Sequence, residues 1–163
     1  MPSPRSLAAA SSTLGLVVVL AACAPSAGDG DAGYQSAIAA VVAAETDASG
    51  RAFEMEVDDG VARVRVAVGS REVEVDVDLS GPTVSDRRED GDLDADDRGA
   101  LDGAATSLAD AIRIAAAAHA GDQSVDEVDL QNQKEAAAWR VEFADGGEVA
   151  VAVADGSIER TDD

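Results

Sequence analysis

Beyond residue 33 the apolar positions change period twice, each time in the same order. Tyr34, Ile38, Val41 and Val42 fall at i, i+4, i+7 and i+8, the spacing of one helix face. Leu108, Ile112, Ala115 and Ala116 repeat that spacing 74 residues further on. Gly50 and Gly121 stand where they could end the two helices. Ser107, with Asp110 three residues later, makes a capping-box-like start for the second. After each helix the period becomes two. Phe53, Met55 and Val57 alternate with acids, followed by Val64, Val66 and Val68, then Val73, Val75, Val77 and Leu79. The second half gives Val128 and Leu130, then Trp139, Val141 and Phe143, then Val149, Val151 and Val153. Val84 and Ile158 are placed to begin a short last strand in each half.

Turn residues set the expected pairings. A two-residue turn at Gly69-Ser70 pairs Val68 with Arg71, Val66 with Val73 and Val64 with Val75. The same register sets Arg65 opposite Glu74 and Arg63 opposite Asp76, so opposite charges pair on one face while valines pair on the other. In the second half, a three-residue turn at Asp145-Gly146-Gly147 predicts Phe143 opposite Val149, Val141 opposite Val151 and Trp139 opposite Val153.

The expected fold is therefore α+β, with two repeated units, each one helix packed on a small antiparallel sheet. The units span residues 34–90 and 107–163, with an acidic linker at 91–106. A unit of this size buries little core alone, so the two are expected to pack together. Each unit resembles the PepSY domain of metallopeptidase propeptides and bacterial envelope proteins. The resemblance is carried by Ala111-Ile112 on the helix, Val125 to Leu130, Trp139-Arg140-Val141-Glu142-Phe143, and Val151 to Ile158 with a compressed Asp155-Gly156 spacing. In the first unit Val77-Asp78-Leu79-Ser80-Gly81 fits the family's ending, but Val64 stands in place of the Trp. The resemblance implies a binding or regulatory role toward an extracytoplasmic peptidase or another envelope protein. No peptidase domain follows the repeats, so that role would be exercised in trans, and exposed sheet edges could accept a partner strand.

The start of the chain changes the picture. Residues 1–22 carry Arg5, an apolar core from Leu14 to Leu20 and small residues after it, the order of a signal peptide. The apolar stretch is too short to span a bilayer. Leu20-Ala21-Ala22-Cys23 resembles the lipobox of bacterial lipoproteins. The resemblance implies cleavage after Ala22, a diacylglyceryl thioether on Cys23 with fatty acyl chains of the palmitate kind, and a lipid-anchored chain on the outer side of the cell membrane. An ordinary signal peptide with Cys23 incidental is the alternative. Cys23 is the single cysteine, so no internal disulfide forms. Residues 23–33 then read as a flexible tether.

Charge and chemistry narrow the function classes. The chain has 33 acidic and 12 basic residues, a net charge of −21, which opposes binding to nucleic acid or to anionic lipid. His119 is the only histidine and the only candidate base; its position on the helical stripe reads as a helix-end residue lying against the sheet. Neither a nucleophile motif nor a nucleotide-binding pattern is present, so no enzyme, cofactor or metal site is expected. The run Asp90, Asp92, Asp94, Asp96 and Asp97 resembles the start of a calcium loop, yet Ala95 and Leu101 stand where an EF-hand needs Gly and Glu. Ca2+ binding by residues 86–102 is the second functional reading beside the binding module. Glu72, Glu74, Asp76 and Asp78 are expected on a solvated sheet face.

Overall fold

A computed structural model describes residues 29–133 and 136–162, so Cys23 and the leader lie outside the described residues. The elements run α1 (Asp29–Ala48), β1 (Arg51–Asp58), β2 (Val61–Val68), β3 (Arg71–Asp78), β4 (Thr83–Asp92), α2 (Ala95–Gly103), α3 (Leu108–Ala118), β5 (Val125–Gln133), β6 (Ala136–Phe143), β7 (Glu148–Ala152) and β8 (Ile158–Asp162). The fold is α+β, with three helices and one eight-stranded antiparallel sheet among the described residues. Its strand order is β4-β3-β2-β1-β5-β6-β7-β8.

In place of two small sheets there is one. β1 and β5 pair antiparallel, Met55 opposite Val128, so the first strand of each half covers the edge the other would leave bare. The described residues thus form a single domain. Helices α1 and α3 pack side by side on one face. Beneath them lie Met55, Val64, Val66, Val75, Val77, Val128, Trp139, Val141, Phe143 and Val149, all at 1% exposure or less. Helix α2 sits at one end of the sheet. Arg51 donates to the Leu101 carbonyl at 2.5 Å, and Asn132 donates to the Asp97 carboxylate at 2.5 Å.

The β2–β3 hairpin has the expected register throughout, from Val68 opposite Arg71 to Arg63 opposite Asp76. Gly69 takes φ +63 at the first turn position, which L-residues reach at a cost. The β6–β7 hairpin differs. Val141 faces Val149 and Trp139 faces Val151, a slip of two residues from the predicted pairing. The three-residue loop is shifted one residue toward the amino terminus, to Ala144-Asp145-Gly146, because Phe143 N–H donates to Gly147 O at 2.9 Å and Gly146 N–H to Phe143 O at 2.8 Å. A slip of two keeps every side chain on its face, so the buried set survives.

Helix ends also differ from expectation. Ser49, not Gly50, holds the left-handed position (φ +57), and Gly50 N–H reaches back to Glu45 O at 3.2 Å as in a Schellman end. Gly50 is needed for another reason: a Cβ there would collide with the Ala67 carbonyl and lie 2.7 Å from Val66. Gly121 caps nothing, since α3 ends on His119. The N-cap of α3 is as expected, with Ser107 Oγ accepting from Asp110 N–H at 3.1 Å. Val42, placed on the buried stripe by its spacing, is 49% exposed, because α1 turns Ala37, Ile38, Val41, Ala44 and Ala48 inward instead.

The segments read as irregular are partly ordered. α1 starts at Asp29, inside the stretch read as tether. The acidic linker is the end of β4 followed by α2, whose N-cap is Asp94. β4 itself has ten residues rather than being a short terminal strand.

Candidate functional site

The face of the sheet away from the helices carries a lattice of arginines and carboxylates. Alternation sends Glu54 and Glu56 of β1, Arg63 and Arg65 of β2, Glu72, Glu74 and Asp76 of β3, and Arg88 of β4 to this side. Glu127 and Asp129 of β5, Arg140 and Glu142 of β6 and Glu148 of β7 continue it.

Two nodes organise the lattice. In the first half Glu74 is the hub. Arg63 approaches it at 3.2 Å and Arg65 at 3.9 Å, and Arg88 donates to the same carboxylate. Glu74 is only 4% exposed, which corrects the expectation of a solvated residue: the guanidinium groups lie over it and replace its water. In the second half the hub is Arg140. It meets Asp129 at 2.5 Å, Glu127 and Glu142 at 3.3 Å and Glu148 at 3.7 Å.

Between the nodes, at the β1–β5 join, the charges do not alternate. Glu54 stands directly opposite Asp129, and Glu56 opposite Glu127, an arrangement that costs stability. Burial, with the Asp129 and Glu127 charges adding to it against Arg65, holds the Glu54 carboxyl above its ordinary range. Glu127 is raised in the same way, by burial first and by Asp129 next, with Arg140 opposing. Burial also raises Glu72, against the pull of Arg65. This face has surplus acid that its own arginines leave incompletely balanced.

His119 sits at the opposite end of the molecule from α2, 6% exposed and stacked on Phe143 with ring centroids 4.2 Å apart at 9°. Its Nε2–H donates to Asp145, whose two oxygens lie at 3.0 and 3.1 Å; an ionised carboxylate only accepts, so Nε2 carries the proton. Asp145 also takes the N–H groups of Asp122 at 3.0 Å and Gly147 at 3.1 Å. The Gly147 N–H above all, together with His119 and Asp122, holds the Asp145 carboxyl below its usual range. Gly121 and Gly147 close over the imidazole, where a Cβ on Gly121 would lie 2.6 Å from Nε2. The cluster ties the end of α3, the loop into β5 and the β6–β7 turn together. That is the helix-end role expected of His119.

The other sequence candidates are separated by the fold. Asp90 and Asp92 belong to β4, Asp94 caps α2 through Asp96 N–H at 2.7 Å, and Asp97 accepts from Asn132. Among the described residues no group of three or more His, Cys, Asp or Glu converges as metal ligands. Cys23 lies outside the described residues. Neither lattice hub is singled out by the sequence; the Arg65–Glu74 and Arg63–Asp76 pairings point to the first, and no expected pairing points to Arg140.

No family model matches the chain, and no characterised protein matches it in sequence; the PepSY resemblance rests on its motif residues. Among solved structures, a Clostridium difficile 630 protein provisionally named a lipoprotein aligns at a TM-score of 0.45 and 17% identity, covering 76% of this chain and 89% of that one. No helix among the described residues is long and apolar enough to cross a membrane.

Proposed function

We propose that this chain is a membrane-anchored extracytoplasmic lipoprotein of PepSY type, a binding or regulatory module held by lipid on Cys23. It acts in trans on an extracytoplasmic peptidase or another envelope protein. In this reading its two halves are two copies of one unit, joined through β1 and β5. The observation that carries the binding role is the open sheet face, where like charges stand opposite each other at Glu54–Asp129 and Glu56–Glu127. A fixed surface with surplus carboxylate favours a partner presenting a basic patch, and such complementarity governs encounter and register.

A photo-crosslinker placed at Glu56 in the anchored full chain tests the reading. The expected result is a reproducible adduct with one envelope protein, weakened by high salt and lost when Glu54 and Glu127 are changed to Gln. Adducts no different from those of a crosslinker placed on α3 would overturn it.

A further inference from the structure

Helix α1 is covered along one side and bare along the other. On its outward side Gln35, Ala39, Val42 and Thr46 recur at steps of four, three and four, the spacing of a seam that packs against another helix. From Ala32 to Ala44 there is no charged residue, in a chain whose net charge is −21. Val42 stands 49% exposed in a shallow apolar hollow of about 600 Å³ walled by Ala39, Ala43, Thr46, Asp47 and Pro82. The acids at its rim are already engaged. Glu45 accepts the Ala52 N–H at 2.9 Å, and Asp47 pairs with Arg87 at 3.4 Å.

We infer that this face seats the same face of a second copy, α1 beside α1 and parallel, on the membrane. The inference rests on the lipid anchoring proposed above. Charge selects the occupant. Two copies of so acidic a chain meet with carboxylates opposed unless contact falls on an uncharged surface, whereas a basic partner is better served by the open sheet face. A two-fold contact uses the same patch on both copies, and an uncharged seam meets its own copy without opposing like charges.

The anchor selects the direction. Residues 24–28 separate Cys23 from the start of α1, a span of at most about 20 Å at about 3.6 Å per residue. Both α1 amino ends are therefore held near the same bilayer surface, and helices that rise from it side by side run parallel. Ala39 then faces Ala39, Val42 faces Val42, and Thr46 faces Thr46. Four seam residues a side is far short of the roughly 20–30 residues a side of a stable soluble interface. Confinement to a membrane raises the effective concentration enough for a weak contact to count.

Oxidative crosslinking of Val42→Cys tests this in the anchored full chain and in a Cys23→Ser form released from the membrane. The exposed position leaves folding undisturbed. The expected result is a disulfide-linked dimer in the anchored chain for Val42→Cys and equally for Thr46→Cys. At least tenfold less dimer is expected from the released form and from an anchored Asp126→Cys control. Dimer from Val42→Cys without dimer from Thr46→Cys would overturn the parallel arrangement. No more dimer than the control, or an adduct with a different protein only, would overturn the inference. A mass spectrum of the same preparation separates the failures. Unmodified Cys23 removes the anchoring reading and this inference with it, while lipidated Cys23 without dimer removes this inference alone.

Discussion

The two halves of the sheet share an element order, a helix followed by four antiparallel strands, and solve the same physical problem in opposite ways. Under α1 the core is mainly valine and alanine with Ile38, Phe53 and Met55, and Val64 lies at the centre of β2. Under α3 the corresponding centre is Trp139, fully buried, with its indole N–H donating to the Thr106 carbonyl at 3.1 Å. On the open face one half surrounds a carboxylate with arginines, and the other surrounds an arginine with carboxylates. Burial separates the two hubs: the Glu74 side chain is 4% exposed and that of Arg140 is 25%. The comparison teaches that the first hub is part of the packing of its half, while the second belongs to a surface still able to exchange partners.

The largest expected effect tests the cores. Trp139→Val gives the second half the first half's residue, leaves a large cavity and frees the Thr106 carbonyl. A loss of about 3 kcal/mol in urea unfolding is expected, against about 2 kcal/mol for Val64→Ala. Equal losses would mean that the halves depend on their centres alike.

Next come the hubs. Glu74→Ala removes the buried carboxylate that three guanidinium groups share. It leaves them their outer partners, Glu56 and Asp76 for Arg63, Glu54 and Glu72 for Arg65 and Asp86 for Arg88. About 2 kcal/mol is expected to be lost, below the range for fully buried pairs because the arginines are partly exposed and keep other anions. Arg140→Ala is expected to cost about 1 kcal/mol or less and to become smaller in high salt. If Arg140→Ala proves as costly as Glu74→Ala, the distinction between a packed hub and a surface hub is wrong.

The smallest effect is the response to pH. Glu54, Glu72 and Glu127 are raised, so the folded state binds their protons more tightly than the unfolded chain, and their ionisation costs stability. That cost is relieved as pH falls from neutral through their raised values toward about 4.3. Asp145 is lowered, as are Asp78 and Asp155, through hydrogen bonds to Ser80 and Ser157 respectively. Their contribution is present above about 3.9 and is lost as pH falls through their depressed values. Thermal unfolding should therefore show maximal stability in mildly acid solution. A melting temperature that falls steadily from pH 7 to pH 4 would contradict this.

Local periodicity made much of the fold legible. The β2–β3 hairpin was readable in full because a glycine turn, paired valines and paired opposite charges fix one register. The β6–β7 register was not, because Asp145-Gly146-Gly147 leaves the closing pair to side-chain and backbone bonds around Asp145. The β1–β5 join brings together residues more than 70 positions apart, and no local pattern announces it. Likewise α2 hides in an acidic run whose apolar content is little more than Leu93 and Leu101. The burial of Glu74 depends on three arginines from two neighbouring strands. Pairing predicted Arg65 opposite Glu74, but Arg63 was expected opposite Asp76 and Arg88 came from a strand expected to be short.

The proposed role depends first on where the chain is held. Mass spectrometry of the amino-terminal peptide from the membrane-extracted full chain tests this most directly, with Cys23→Ser as the companion. The expected result is a mature chain that begins at a diacylglyceryl-modified Cys23, and a Cys23→Ser chain lost from the membrane fraction. An unmodified Cys23, or a Cys23→Ser chain that stays with the membrane to the same extent, would contradict it.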